Sequence, residues 1–352
     1  GNVQNAALTA ALQNGFDNDG ATNTVTVHNP PTSGAYAGDS QYTEVVITTQ
    51  VPAAFYQLFH PEPIQTTVHA ISVCNAEGGS SAISGSYGIV VLNGTKQSAY
   101  ATTGNGDTVV SSGGIFVNSS HSKALTLTGN GDMTADVISV VGGYKVTGNG
   151  DISPTPTTGV AAISDPLADV EPPPTPSGSC TNVSVTGNSD VTIDPGYYCK
   201  ITATGNGDLI LNPGVYWIKS GNFSVTGNGD LIASNVMIYM GPSAGNFSVT
   251  GNGDMTISPP TSGDYKGLAL FVDRSNSNKV SITGNGDSTS IGGTYYMPSA
   301  EVSITGNGDH TVTNAQFISD TFSVTGNADI QLDFDPAAVY QPPFTYLISL
   351  VE

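Results

Sequence analysis

Aspartate and asparagine recur in one short phrase whose side chains could bind cations or order the backbone. The phrase is Thr-Gly-Asn-x-Asp, with glycine, serine or alanine at x, and it occurs ten times, mostly at intervals of 18 to 25 residues. Its copies begin at Thr103, Thr128, Thr147, Thr186, Thr204, Thr226, Thr250, Thr283, Thr305 and Thr325. This periodicity is typical of a solenoid, in which stacked coils place equivalent residues in rows.

Each row of such a stack would have its own chemistry. The glycines permit corner conformations with positive φ. Asparagine amides at the roughly 4.8 Å spacing of neighbouring strands can form a hydrogen-bonded ladder. Aspartates at that spacing would repel one another by about 1 kcal/mol per neighbouring pair in water. The acidic row therefore needs either hydrogen-bond donors or a cation.

Both solutions are open for the aspartates. In the first, each carboxylate caps its own turn through hydrogen bonds. In the second, calcium bridges carboxylates of neighbouring coils, because oxygen ligands at about 2.4 Å suit a pair roughly 4.8 Å apart. The candidate calcium ligands are Asp107, Asp132, Asp151, Asp190, Asp208, Asp230, Asp254, Asp287, Asp309 and Asp329, with Asn206, Asn228 and Asn252.

The residues around the phrase alternate as half-buried β-strands do. Segments such as Phe223-Ser224-Val225 place large apolar residues on one side and hydroxyls on the other. We therefore predict a mainly β fold, a parallel β-helix that is right-handed by general preference, preceded by a small α+β domain. The predicted segments are residues 1–75 for that domain, 76–335 for the β-helix with a proline-rich insertion at 152–179, and 336–352 for an apolar tail.

Composition points to the cell exterior. The chain has 8 Lys and Arg against 28 Asp and Glu, a formal net charge of −20. Such a surface repels nucleic acid and anionic membranes and attracts divalent cations. No apolar segment is long enough to span a membrane, so we expect an export segment that is not present in this sequence.

Three cysteines are present, and two of them flank one coil. Cys180 and Cys199 are separated by about one turn of the solenoid, which predicts a disulfide in an oxidising compartment. Cys74 is the odd one and is either free and buried or paired between molecules.

The N-terminal region resembles a known family. The segments Ala6–Phe16, Thr24–Gly38 and Tyr42–Phe59 are similar to the start of TadG-like proteins, which are associated with tight-adherence pilus assembly. Gly267–Ser275 and Gly293–Ala300 resemble the continuation in long members that carry Ser/Thr-Gly-Asn repeats. The resemblance implies a bacterial surface location and an adhesive or assembly role. It implies no catalytic residues.

Enzymatic activity is not expected from these residues. Parallel β-helices house polysaccharide lyases and hydrolases, which need a localised set of acids and cations. Here the acids recur once per coil, and the only arginine, Arg274, is expected to pair with its neighbour Asp273. Several aromatic residues could bind sugars on an exposed face or fill the core, namely Tyr144, Tyr216, Trp217, Tyr295 and Tyr296.

These features favour a structural subunit of an extracellular filament or cell-surface fibre, stabilised by calcium. The apolar tail Pro342–Glu352 either caps the last coil or pairs with another subunit by strand addition. The expected partner is a second copy of the chain in a homo-polymer, with surface polysaccharide as another possible ligand. The alternative functions are a monomeric pilus-associated adhesin or assembly factor and a polysaccharide-active β-helix enzyme.

Overall fold

A computed structural model describes residues 2–39, 42–51, 64–75, 86–284, 289–306, 310–327, 329–342 and 347–350. The chain forms two compact units. One comprises residues 1–77 together with 343–352, and the other comprises residues 78–342.

The first unit combines one helix with an antiparallel sheet. The helix α1 spans Asn2–Gln13, and the strands are β1 (Asn23–His28), β2 (Tyr42–Val51) and β3 (Ile64–Asn75). Strand β2 pairs with β1 on one side and with β3 on the other. The helix and strands agree with the predicted α+β domain. The apolar segment Ala53–Phe59, whose sequence favours a short helix, lies outside the described residues.

The end of the predicted C-terminal tail belongs to this first unit. Its strand Leu347–Leu350 pairs antiparallel with β3, and the Cα of Leu347 lies opposite that of Asn75. This strand therefore does not cap the last coil, whereas Val339 and Tyr340, at the start of the predicted tail, are buried with the solenoid. Strand addition to another subunit stays a prediction.

The second unit contains the remaining strands, all paired in parallel. They are β4 (Tyr87–Val91), β5 (Tyr100–Gly104), β6 (Thr108–Val117), β7 (Leu125–Gly129), β8 (Met133–Val140), β9 (Tyr144–Gly148), β10 (Ile152–Ser153), β11 (Thr157–Thr158), β12 (Thr181–Gly187), β13 (Val191–Ile193), β14 (Gly196–Gly205), β15 (Leu209–Leu211), β16 (Gly214–Ile218), β17 (Phe223–Gly227), β18 (Leu231–Ala233), β19 (Val236–Met240), β20 (Phe247–Gly251), β21 (Met255–Ile257), β22 (Leu268–Val272), β23 (Val280–Gly284), β24 (Thr289–Ile291), β25 (Gly293–Gly306), β26 (His310–Thr313), β27 (Ala315–Gly326) and β28 (Ile330–Asp333); the tail strand is β29.

These strands form one continuous solenoid, which confirms the predicted fold class. We number its coils in spatial order by the threonine that opens each repeat. From coil 1 to coil 10 these are Thr186, Thr204, Thr226, Thr250, Thr283, Thr305, Thr325, Thr103, Thr128 and Thr147. All ten repeats therefore stack in register, although their spatial order differs from their sequence order.

The difference lies at the middle of the stack. Coil 7, the last in sequence, pairs with coil 8, the first in sequence, through Thr325 opposite Thr103. From coil 8 the chain continues to coil 10, and residues 154–180, which we call the strap, then lead to coil 1. Both the entry to and the exit from the solenoid therefore lie at central coils.

Alternation of the strand residues fills the solenoid interior. Ile201, Phe223, Phe247 and Val280 occupy one inward column and are each at most 2 % exposed. Phe223 and Phe247 stack with their rings 5.0 Å apart. A coil buries these residues only against its neighbours, so the stack as a whole carries the hydrophobic stabilisation.

Candidate functional surface

The asparagines of the repeat form a hydrogen-bonded ladder along one corner of the solenoid. Nδ2 of Asn206 donates to Oδ1 of Asn188 at 2.9 Å, and the same bond recurs along the described part of the row. The other pairs are Asn228 to Asn206, Asn252 to Asn228, Asn105 to Asn327, Asn130 to Asn105 and Asn149 to Asn130. The predicted amide ladder is therefore present.

The glycines of the repeat bring adjacent corners into contact. Gly227 has a φ of +134°, which L side chains rarely adopt, and a Cβ there would collide with the carbonyl oxygen of Gly205. The second glycine, Gly229, would collide in the same way with Gly207. At Gly227 and Gly229 the coil directly beneath the corner therefore leaves no room for a Cβ.

The aspartates are also linked from coil to coil. Oδ1 of Asp190 accepts the backbone N–H of Asp208 at 3.0 Å, and Oδ1 of Asp208 accepts that of Asp230 at 2.8 Å. Asp254, Asp107, Asp132 and Asp151 likewise donate to the aspartates beneath them, which are Asp230, Asp329, Asp107 and Asp132. These bonds join neighbouring coils, unlike the predicted caps within a single turn.

This geometry leaves one carboxylate oxygen of each linked aspartate outside the ladder. The hydrogen bonds use Oδ1, and no protein donor to Oδ2 is present among the described residues of the row. The candidate ligands Asp287 and Asp309 lie outside the described residues. Within the described part of the chain no cluster of three or more His, Cys, Asp or Glu side chains converges on a single point. In the coils that the structure describes, the acidic row is therefore linear, and Oδ2 of each linked aspartate has no described protein donor.

A second feature, which the sequence did not predict, is an aromatic cluster on the outer side of another face of the solenoid. Strands β16, β19, β22 and β25 direct Trp217, Tyr239, Phe271 and Tyr296 outward, where the strap covers them. Leu167 and Val170 of the strap are 1 % and 4 % exposed in this outer cluster. The aromatic residues considered for sugar binding on an open face are thus buried, except Tyr144, which is 38 % exposed.

Arg274 anchors the strap. Its Nη2 donates to the carbonyls of Leu167 and Val170 at 2.7 and 2.8 Å, and its Nε donates to the hydroxyl of Tyr296. That hydroxyl donates to Asp165 of the strap at 2.5 Å. Burial, together with the charge of Asp165, raises the pKa of Tyr296 and keeps the hydroxyl protonated.

The predicted ion pair between Asp273 and Arg274 is wrong. Asp273 instead accepts hydrogen bonds from the hydroxyl of Tyr239 at 2.6 Å and from Ser275. The two residues lie in a turn that is closed by the hydrogen bond from the N–H of Asn276 to the carbonyl of Asp273. Arg274 reaches the strap from this turn, whereas Asp273 faces Tyr239 and Ser275.

A disulfide fixes the far end of the strap. Cys180 and Cys199 are bonded, as the spacing predicted, and the bond joins the end of the strap to coil 2. The side chain of Cys74 lies outside the described residues.

The fold and this surface define a β-solenoid with polar ladders along its described coils. A comparison with protein-family models, curated proteins and solved structures yields no match to this chain. No helix in the described part of the chain has the length and apolar character to cross a bilayer.

Proposed function

We propose that this protein is a structural subunit of an extracellular filament or cell-surface fibre. The observation that carries the proposal is the ten-coil stack, in which the terminal strands β12 and β9 each pair on one side only with a strand of the described chain. Unpaired strand edges are sites at which a second chain can add. The resemblance to TadG-like proteins supports placement at a bacterial surface.

The polar residues of the repeat favour scaffolding over catalysis. The asparagines and aspartates of the described ladders hold neighbouring coils together and recur in equivalent positions. A catalytic site would gather different groups at one place. We therefore propose a role without enzymatic activity.

Calcium is the proposed stabilising ion. The second carboxylate oxygens have no protein donor among the described residues, and coils repeat at about the strand spacing of 4.8 Å. Repulsion between such carboxylates weakens when a cation bridges adjacent coils. Asp208 and Asp230 are partly buried, whereas Asp254 is exposed, so the three sites differ in their access to solvent. Calcium would add to a ladder that already has backbone donors.

Electron microscopy of the purified chain in millimolar calcium and in EGTA tests this function. Filaments that persist with calcium and shorten without it support both parts of the proposal. Filaments unaffected by EGTA support the structural role but contradict stabilisation by calcium. Isolated particles under both conditions contradict the filament and favour the monomeric adhesin. Cleavage of acidic or neutral polysaccharides by those particles would instead favour the enzyme.

A further inference from the structure

The two end coils present complementary side-chain hydrogen-bonding groups. Within the described ladder every asparagine Nδ2 donates to the coil with the lower number, and so does every aspartate N–H. At coil 1 these donors are Nδ2 of Asn188 and the N–H of Asp190. At coil 10 the matching acceptors are Oδ1 of Asn149 and of Asp151. All four residues are exposed, and none has a described partner on its outer side.

The backbone of the corner continues the same polarity. Inside the stack, the N–H of Asn206 donates to the carbonyl of Gly187 at 2.9 Å, and the N–H of Asn149 donates to that of Gly129 at 3.0 Å. The equivalent N–H at coil 1 belongs to Asn188 and the equivalent carbonyl at coil 10 belongs to Gly148. One end therefore offers donors where the other offers acceptors.

Both ends also expose residues of the apolar core columns. At coil 1, Val183, Val191 and Ile193 are only half-buried. At coil 10, Tyr144 is 38 % exposed and Val146 is half-buried. The registers place Tyr144 in the same column as Val183, and Val146 in the column of Val185. Each end is thus a cut through a continuing core.

We propose that coil 10 of one molecule binds coil 1 of a second copy, so that the ladders and the core continue across the junction. Strand β12 would add to β9, and β13 to β10, in the parallel register used throughout the stack. The inference rests on the proposed function and names the partner and the surfaces. A contact between two different ends does not close on itself, so it produces filaments with a direction.

One residue makes this junction weaker than the contacts inside the chain. Coil 1 has Ser189 where coil 2 has Gly207, and a Cβ on Gly207 would collide with the carbonyl of Ser189. Ser189 would meet Gly150 of the second copy in the same way, so the corner must open slightly.

Variants in which only one of the two end coils is blocked, which we call half-blocked, test the junction. Val183→Lys blocks coil 1 and Val146→Lys blocks coil 10, because a lysine at an open edge can extend into solvent but becomes buried and unpaired in the junction. We expect each variant alone to need about 100-fold more protein to polymerise, given the cost of burying an unpaired charge. Mixed in equal amounts, the two variants have one intact pair of ends and should form heterodimers that grow no further.

Matched controls distinguish blocking of the end surface from the effect of the added charge alone. Thr186→Lys and Thr147→Lys place the same charge on the same coils, but on the exposed outer face. These controls should polymerise as the wild type does. Asn188→Asp gives a second test that keeps the core intact, since it retains the oxygen that accepts from Asn206 but loses the outward donor. It should also prevent growth from coil 1.

Analytical ultracentrifugation and electron microscopy measure the size and shape of the assemblies and distinguish three outcomes. Heterodimers from the mixture, with growth lost in each half-blocked variant, support the junction. If every variant forms filaments at the same protein concentration as the wild type, the proposed junction is overturned but the filament function stands. A wild type that stays monomeric at all concentrations overturns both. The junction further predicts that Ser189→Gly polymerises at a lower protein concentration than the wild type.

Discussion

Asn105 donates a hydrogen bond of 2.9 Å from its Nδ2 to Oδ1 of Asn327, although the two residues lie 222 positions apart. This contact joins the first repeat in sequence to the last. It makes the two halves of the repeat region a single stack, with the two outer ends formed by repeats from the interior of the sequence.

The asparagine ladder should contribute more at a central coil than at an end. Asn105→Ala removes one hydrogen bond donated to Asn327 and one accepted from Asn130, whereas Asn149→Ala removes only the bond to Asn130. At about 1 kcal/mol per bond, the losses should be near 2 and 1 kcal/mol. Urea denaturation of both variants measures the difference, and equal losses would contradict a cooperative role for the central ladder.

The corner glycines should be intolerant of alanine where one coil lies on another. Gly104 has a φ of +137° and a Cβ there would collide with the carbonyl of Gly326, whereas Gly187 has a φ of +105° and nothing within 4 Å. Gly187→Ala should cost about 1–2 kcal/mol from backbone strain alone. Gly104→Ala should cost about 1–3 kcal/mol more from overpacking.

Thermal unfolding compares the two glycine variants. The protein is kept dilute so that the end coils do not associate. Unfolding temperatures that fall equally would show that backbone conformation, and not the approach of the corners, explains the glycines.

The strap should loosen when Arg274 loses its forked hydrogen bonds. Arg274→Lys keeps the charge but cannot donate to Leu167, Val170 and Tyr296 together. The loss of two bonds, at about 1 kcal/mol each, raises the population of the detached strap. Thermolysin should therefore cleave the strap about 10- to 30-fold faster than in the wild type.

Lys219→Met provides the control for the strap. Lys219 lies 5.7 Å from the ring of Tyr197 and also carries a positive charge, but it has no recorded hydrogen bond to the strap. Its removal should leave the cleavage rate unchanged. Equal rates in wild type and Arg274→Lys would mean that the apolar contacts alone retain the strap.

The N-terminal unit should lose stability at low pH through Glu44. Hydrogen bonds from the hydroxyl of Ser33 and from the N–H and hydroxyl of Thr32 lower the pKa of Glu44 from 4.5 to about 2. A carboxylate with a lowered pKa stabilises the fold above the unfolded pKa, and this contribution disappears as pH falls from about 4.5 towards 2.

Glu44→Gln provides the test of this pH dependence. Its thermal stability should lie below that of the wild type at pH 7, and the two should converge near pH 2. A difference that stays constant across this range would assign the effect to packing, since Glu44 is only 2 % exposed.

The local pattern of the sequence was sufficient to predict the coil. Alternation around Phe223 and Val225 predicted strands, and the Thr-Gly-Asn-x-Asp phrase predicted corners with an asparagine ladder. The Cys180–Cys199 pairing also followed from spacing. These features depend on neighbours within one coil or on the repetition of one coil upon the next, which periodic sequence encodes directly.

The sequence did not specify the donors to the aspartates. Turn capping and cation bridging were considered, and the structure adds the backbone N–H of the next coil, as in the bond from Asp208 to Asp190. That donor becomes available only when two corners approach within hydrogen-bonding distance. Whether calcium binds the remaining oxygens stays a prediction.

The sequence by itself determined a solenoid of ten equivalent coils, and only the tertiary structure decided their order and what lies on their outer face. Equivalent repeats can stack on one another in many orders, so no local signal distinguishes Thr325 beside Thr103 from a simple succession. The strap permits the observed order, because some 27 residues extend to about 90 Å while ten coils rise only about 45 Å. Its contacts with Arg274 and Trp217, formed across about 40 to 110 residues of sequence, then hold that order in place.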